Sequence, residues 1–266
     1  MAGWQFATVR LSTGPRVHYA EHGDPHGEPT VFLHGWPASW FSFSRVIPLL
    51  GRHFHAFVLD QRGFGDSERP EGGYRIEHFA ADVVAFLDAL SIDRATIVGH
   101  SFGSFVTRQV AIAQPDRVAR IVLIGTGVSA GTPVVRQAEA AVLDLDDPVP
   151  MEFARDFQSS TAYAPLPEPF FERIVAESLK LPARLWRVVL EGLLAYDDMA
   201  ELGRIITLTL LIWGEHDALF PRDHQDRLVV AIRGAKLRIY EGIGHCPNWE
   251  CPERVAADLQ AFVQQT

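Results

Sequence analysis

A serine between two glycines, Gly99-His100-Ser101-Phe102-Gly103, follows the apolar run Ala95–Val98 and opens an amphipathic stretch, Ser101–Gln114. Glycines on either side of a serine allow a sharp strand-to-helix turn that lifts the hydroxyl clear of the backbone. The same turn puts Ser101 at a helix N-terminus, where free N–H groups favour developing negative charge. The pattern alone is weak: with glycine and serine each about 7% of residues, it arises by chance in roughly one chain in ten of this length. Its weight comes from the strand before and the helix after, since a serine serving only as a helix N-cap needs neither glycine.

A serine hydroxyl is a poor nucleophile at neutral pH and needs a base held by a third group. Leu208–Trp213 runs into Gly214-Glu215-His216-Asp217, and Lys236–Tyr240 runs into Gly242-Ile243-Gly244-His245. Residues just past the carboxyl ends of strands in an open α/β sheet converge on one crevice, so these distant positions can meet. The expected roles are Ser101 as nucleophile, His245 as general base then acid, and Asp217 as the group that holds the imidazole and stabilises its cation. Glu215 is the rival acid, tilted differently two residues earlier, and His216 shares the acid's own loop and cannot easily turn against it.

Such chemistry also needs donors for an oxyanion. One is expected from the backbone N–H of Phe102, the residue after the nucleophile. The other is expected from the loop after Thr30–Leu33, His34-Gly35-Trp36-Pro37, where Gly35 allows close approach and Trp36 can offer its N–H to the same oxygen. The turn Asp60-Gln-Arg-Gly-Phe-Gly-Asp66-Ser67 reads as structural rather than catalytic. His22, His26, His34, His53 and His55 show no compact ligand set, so no metal site is expected, and the chemistry calls for no organic cofactor.

These residues need a frame. Strands are expected at Arg16–Glu21, Thr30–Leu33, Ala56–Leu59, Ala95–Val98 and Arg120–Ile124. The later ones are almost wholly apolar, as in a parallel sheet covered on both faces. Ile76–Leu90 spaces Phe79, Val83, Phe86, Leu87 and Leu90 as one helical face. The βαβα rhythm predicts an α/β fold with a doubly wound, mostly parallel sheet. It breaks between about Gly127 and Gly203, a proline-rich stretch that reads as short helices, with Phe170–Leu179 and Ala183–Ala195 opened by Pro169 and Pro182. It resumes with Leu208–Trp213, a helix near Asp223–Ile232, Lys236–Tyr240 and a last helix from Pro252 to Val263. The expected organisation is a core of residues 1–127 and 204–266, interrupted by an inserted helical cap at 128–203.

The 266 residues suffice for one large domain, and 24 basic against 33 acidic side chains give a net charge of −9. A basic nucleic-acid footprint is therefore absent. No apolar run approaches the ~20 residues that cross a bilayer, and the first residues show neither a basic nor an apolar signal region. The expected setting is cytoplasmic, away from membranes. Cys246 and Cys251, the two cysteines, are too few and too local for a disulfide framework. Cys246, directly after the expected base, reads as a packing thiol.

With His34-Gly-Trp-Pro, Asp60-Gln-Arg-Gly-Phe-Gly-Asp-Ser, Gly99-His-Ser-Phe-Gly, Trp213-Gly-Glu-His-Asp and Gly244-His245 assembled, the sequence resembles the α/β-hydrolase fold family over nearly its whole length. The order Ser101, Asp217, His245 is the order expected of that family. The resemblance implies a cap lying over the carboxyl end of the sheet. It makes Trp36 and the aromatic residues of Phe153–Tyr196, among them Phe157, Tyr163 and Trp186, candidate pocket walls. His-Gly-Trp-Pro resembles the epoxide hydrolases and haloalkane dehalogenases, but those attack alkyl carbon with an aspartate, and an ether formed on Ser101 could not be released by water in the same way. The expectation is hydrolysis of a carboxylic ester, or of a lactone, through an acyl-serine. The alternatives are carbon–carbon hydrolysis of the meta-cleavage type, a cofactor-free haloperoxidase or perhydrolase, and a non-catalytic ligand receptor on the same scaffold.

Overall fold

The computed structural model describes residues 3–264 and arranges eight strands in one sheet. They are β1 (Gln5–Arg10), β2 (Arg16–Gly23), β3 (Glu28–Leu33), β4 (Phe54–Leu59), β5 (Ala95–His100), β6 (Val118–Ile124), β7 (Leu208–Gly214) and β8 (Lys236–Tyr240). Their spatial order is β1-β2-β4-β3-β5-β6-β7-β8. The pairings β1–β2 and β2–β4 are antiparallel and the rest are parallel. This is the doubly wound, mostly parallel α/β sheet that the sequence pattern predicts, in the form that the family resemblance implies.

Helices α1 (Ile76–Ala89), α2 (Phe102–Ala113) and α7 (Arg222–Ala231) lie outside the insertion, as do the short α8 (Pro247–Glu250) and α9 (Pro252–Val263). Alternate residues of each inner strand enter two different cores. Val31, Leu33, Ile97, Ile121 and Leu123 pack with α1 and α2, while Phe32, Val98, Val122 and Ile124 pack with α9 and the turns at 40–49. A strand buried on both faces must be apolar at every position, which explains the continuous runs in the sequence. β1 was not among the expected strands. It is an edge strand whose residues are almost all exposed, so it carries no burial signal to read.

Topology brings the loops together. The chain leaves β3 to one side to form β4 and returns to its other side with β5, so β3 and β5 are neighbours with Leu33 opposite Gly99. Sheets that reverse their strand order in this way open a crevice beyond the carboxyl ends of the two strands. The loops after β3 and β5 share it.

Between β6 and β7 the chain makes four helices: α3 (Pro133–Leu143), α4 (Met151–Thr161), α5 (Glu168–Ser178) and α6 (Ala183–Leu194). Pro169 stands in the first turn of α5, and Pro182 is the N-cap of α6 rather than its first helical residue. Both stems of this excursion are tied to α2 by one buried side chain. Arg108 donates from Nη1 to Gly127 O at 2.7 Å and from Nη2 to Asp198 Oδ1 at 3.0 Å, with its Nε 2.8 Å from Asp198 Oδ2. No helix among the described residues is long and apolar enough to cross a membrane.

Breaking a buried ion pair by removing one partner strands the other charge, at a cost of about 3–5 kcal/mol. Arg108→Met should lower the unfolding free energy by that amount in urea titrations. The double variant Arg108→Met/Asp198→Leu should recover much of the loss.

Candidate active site

The turn between β5 and α2 is strained and over-determined. Ser101 has φ 50° and ψ −119°, a conformation rare for a residue with a side chain, and such backbones cost about 1–3 kcal/mol. It holds because α2 approaches the sheet closely. A Cβ on Gly99 would lie 2.2 Å from Gly103 O, and one on Gly103 would lie 2.2 Å from Leu33 O. Ser101 N–H donates to Ile124 O at 2.9 Å, while its carbonyl accepts from Ser104 N–H at 2.8 Å and Ser104 Oγ at 2.6 Å. The hydroxyl is left facing a cavity.

The structure brings Ser101, His245 and Asp217 into one chain of hydrogen bonds. His245 Nδ1 lies 2.9 Å from Asp217 Oδ2, and His245 Nε2 lies 2.8 Å from Ser101 Oγ. Asp217 accepts at Oδ1 from the N–H groups of Leu219 (2.9 Å) and Phe220 (3.0 Å), which fixes its plane. A carboxylate can only accept, so Nδ1 carries the ring proton and Nε2 presents its lone pair to the hydroxyl. Both side chains are buried. His245 crosses over the end of β6 to reach Ser101. There Gly125, at φ +53°, leaves the room that a Cβ would take, 2.5 Å from His245 O.

The rival residues stand apart. Glu215 is exposed and accepts from Gly242 N–H, and His216 is half-exposed and stacks on Tyr163 with ring centroids 3.9 Å apart. The turn at 60–67 is a knot: Asp60 accepts from Trp40 N–H (2.7 Å), Asp66 N–H (3.0 Å) and His18 Nδ1 (2.8 Å). It braces the loop after β3 from behind. That loop is further fixed by His34, whose Nδ1–H donates to Gly35 O and whose Nε2 accepts from Gln61 N–H.

The cavity has a volume of about 50 Å³ for the centres of water molecules, room for only a few of them. Gly35, Trp36, Ser101, Phe102 and His245 form its floor, and residues such as Ala138, Phe157, Leu190 and Leu193 of the inserted helices form its roof. The backbone N–H groups of Trp36 and Phe102 bond to no other described residue. The indole Nε1 of Trp36 is buried and also without a partner.

Of the four aromatic residues named as expected walls, Trp36 and Phe157 line this cavity, and the structure corrects the other two. Trp186 is fully buried behind Trp36 and Phe157, edge-on to both, with its Nε1–H donating to Leu181 O. Tyr163 is 60% exposed and faces an outer depression. Leucine and alanine walls on α3 and α6 are not singled out in the sequence, because nothing local separates them from helix-packing residues.

His100 is a second finding. Its ring is fully buried in the cavity wall, where Nε2–H donates to His245 O at 3.1 Å and Nδ1 has no partner. Burial, reinforced by the neighbouring His245 ring, pushes its pKa down to about 3. Burial also lowers His34 and raises the Cys246 thiol well above its ordinary range. Cys246 donates to Thr161 Oγ1 and is a packing thiol rather than a thiolate.

A family model described as "alpha/beta hydrolase fold" matches residues 28–252. A non-heme chloroperoxidase of Streptomyces lividans is 31% identical over 97% of this chain and 99% of its own. A 2-hydroxy-6-oxo-2,4-heptadienoate hydrolase of Pseudomonas putida is 30% identical over 84% of this chain and 83% of its own. The crystal structure of a hydrolase from Pseudomonas aeruginosa superposes over the full length of both chains with a TM-score of 0.88 at 26% identity.

Burial of His100 makes stability depend on pH. Its pKa lies lower in the folded protein than the ordinary 6.5, so between pH 6.5 and 3 the unfolded chain binds the extra proton. The stability contribution is full above about pH 6.5 and falls by about 1.4 kcal/mol per pH unit below it. From pH 7 to pH 5, urea unfolding should show wild type losing about 2 kcal/mol more than His100→Gln.

Proposed function

Because the chain belongs to the alpha/beta hydrolase fold family, we propose that it is a serine hydrolase cleaving a small carboxylic ester, or a lactone, through an acyl-Ser101 intermediate. The observation that carries this reading is the relay from Ser101 Oγ through His245 to Asp217, at 2.8 and 2.9 Å. Ser101 Oγ attacks the acyl carbon as its proton passes to His245 Nε2, and Asp217 stabilises the imidazolium. The carbonyl oxygen becomes an oxyanion and accepts from the free N–H groups of Phe102 and Trp36. Each such donor is worth on the order of 3 kcal/mol in the barrier. The intermediate then collapses, the C–O bond to the alcohol breaks, and the alcohol leaves with the proton from His245. Water, deprotonated by the same imidazole, attacks the acyl-enzyme and releases the acid. The chain supplies every group in this sequence, so it calls for no metal or cofactor.

An ester is favoured over a dienoate of the kind named for the Pseudomonas putida relative by the cavity walls. Among the described residues lining the cavity there is no lysine or arginine to meet a substrate carboxylate. The chloroperoxidase relative suggests a variant of the same steps, with hydrogen peroxide taking the place of water at the acyl-enzyme and releasing a peracid. A receptor that only binds would have no use for an activated hydroxyl.

Ser101→Ala should reduce kcat on p-nitrophenyl acetate by about 10⁴-fold or more while leaving the thermal unfolding curve in place, and a fluorophosphonate should label wild type at Ser101. Retained turnover in Ser101→Ala, or an inert wild type that still binds small molecules, refutes the assignment. The small cavity sets the order of substrates. In a series of p-nitrophenyl esters, kcat/KM should be highest for acetyl to butanoyl and at least about 100-fold lower for decanoyl, whose extra methylenes find no room.

A further inference from the structure

Glu250, the last residue of α8, takes no part in the relay, yet its carboxylate gathers the backbone around the proposed base. Oε1 accepts from Gly244 N–H at 3.1 Å and Cys246 N–H at 3.2 Å. Oε2 accepts from Tyr163 N–H at 3.0 Å and Ala164 N–H at 2.7 Å, and shares the Gly244 N–H at 3.0 Å. Gly244 and Cys246 flank His245. The N–H of His245 itself donates at 3.1 Å to the carbonyl of Thr161, the last residue of α4. Three successive N–H groups are therefore fixed, the outer two by one carboxylate and the middle one by the end of an inserted helix. The fit is close. A Cβ on Gly244 would stand 2.7 Å from Tyr163 N and 3.1 Å from Glu250 Oε1. Among the described residues no lysine, arginine or histidine side chain pairs with Glu250, so its acceptor capacity is spent on backbone alone.

We propose that Glu250 is a positioning residue for hydrolysis. It holds the loop that aims His245 at Ser101 through Gly244 and Cys246, and ties that loop to the inserted helices through Tyr163 and Ala164. The inference rests on the serine-hydrolase reading above. Charge-assisted bonds to backbone N–H are among the stronger hydrogen bonds. Two of these act one residue either side of the imidazole, where a displacement of about 1 Å is enough to cost 10²-fold in rate. The cavity walls on α3 and α6, Ala138, Leu190 and Leu193, lie outside this set of bonds, so KM should change little.

The decisive variant is Glu250→Gln, which keeps size and shape but places an amide NH₂, a donor, against N–H donors. With p-nitrophenyl acetate, kcat should fall by about 10- to 100-fold with KM within about two-fold of wild type, and fluorophosphonate labelling of Ser101 should slow in parallel. Amide hydrogen exchange should accelerate at Tyr163, Ala164, Gly244 and Cys246 while the amides of β5 and β6 keep their protection. Glu250→Asp, charged but one methylene too short to reach both segments, should show the same loss of kcat at constant KM and supports the proposal if Glu250→Gln fails to fold. A Glu250→Gln or Glu250→Asp enzyme with wild-type kcat and labelling rate overturns the positioning role alone. So does a loss confined to thermal stability. A wild type that a fluorophosphonate does not label overturns the serine-hydrolase reading, and this inference with it.

Discussion

The close contact of α2 with the ends of β3 and β5 is the constraint from which the site follows. Because Gly103 rests against Leu33 O and Gly99 against Gly103 O, the helix begins without a spacer and Ser101 is held at φ 50°. That strain, of about 1–3 kcal/mol, lifts the hydroxyl out of the backbone and leaves the N–H of Phe102 free beside it. Relaxing the turn would bury the hydroxyl or lengthen the loop, and the distance to His245 would change with it. The backbone bonds to Ile124 and Ser104 keep it in place.

Around this point burial disfavours charge on two neighbouring histidines, His100 and His34. His100 and His34 are buried and hold their protons only on the nitrogen that faces a carbonyl. Burial keeps both below their ordinary pKa. Neither of them hydrogen-bonds Asp217, whose Oδ2 meets the His245 ring. The roof of the cavity, carried by the inserted helices, narrows the room left for water beside these bonds. Arg108 and Glu250 pin the insertion at opposite places. One binds its two stems to α2 and the other binds the segment after α4 to the loop of the proposed base.

Much of this frame is legible in one dimension because burial leaves a pattern. β3 to β7 are apolar at nearly every position since each faces two cores, and their ends in the sequence agree with the structure within two residues. β1 escapes because an exposed edge strand buries nothing. The proline stops of the insertion mark helices but not what they touch. Trp186 and Tyr163 illustrate the limit. Both are aromatic residues in the right segment, yet one is packed behind the cavity and the other lies outside it.

The sequence by itself determined the fold family, the glycine-bounded serine and the two loops that carry Asp217 and His245, since each depends on local turn geometry and on the order of strands. Tertiary structure alone decided the rest: how much room lies above Ser101, which walls line it, that His100 is neutral with one nitrogen unpartnered, and that Glu250 reaches two segments 80 or more residues apart in the chain for Tyr163 and Ala164 and close at hand for Gly244 and Cys246. Those are distances between elements, set by how helices dock on a sheet. Docking depends on the summed shape of many side chains rather than on any short run of them.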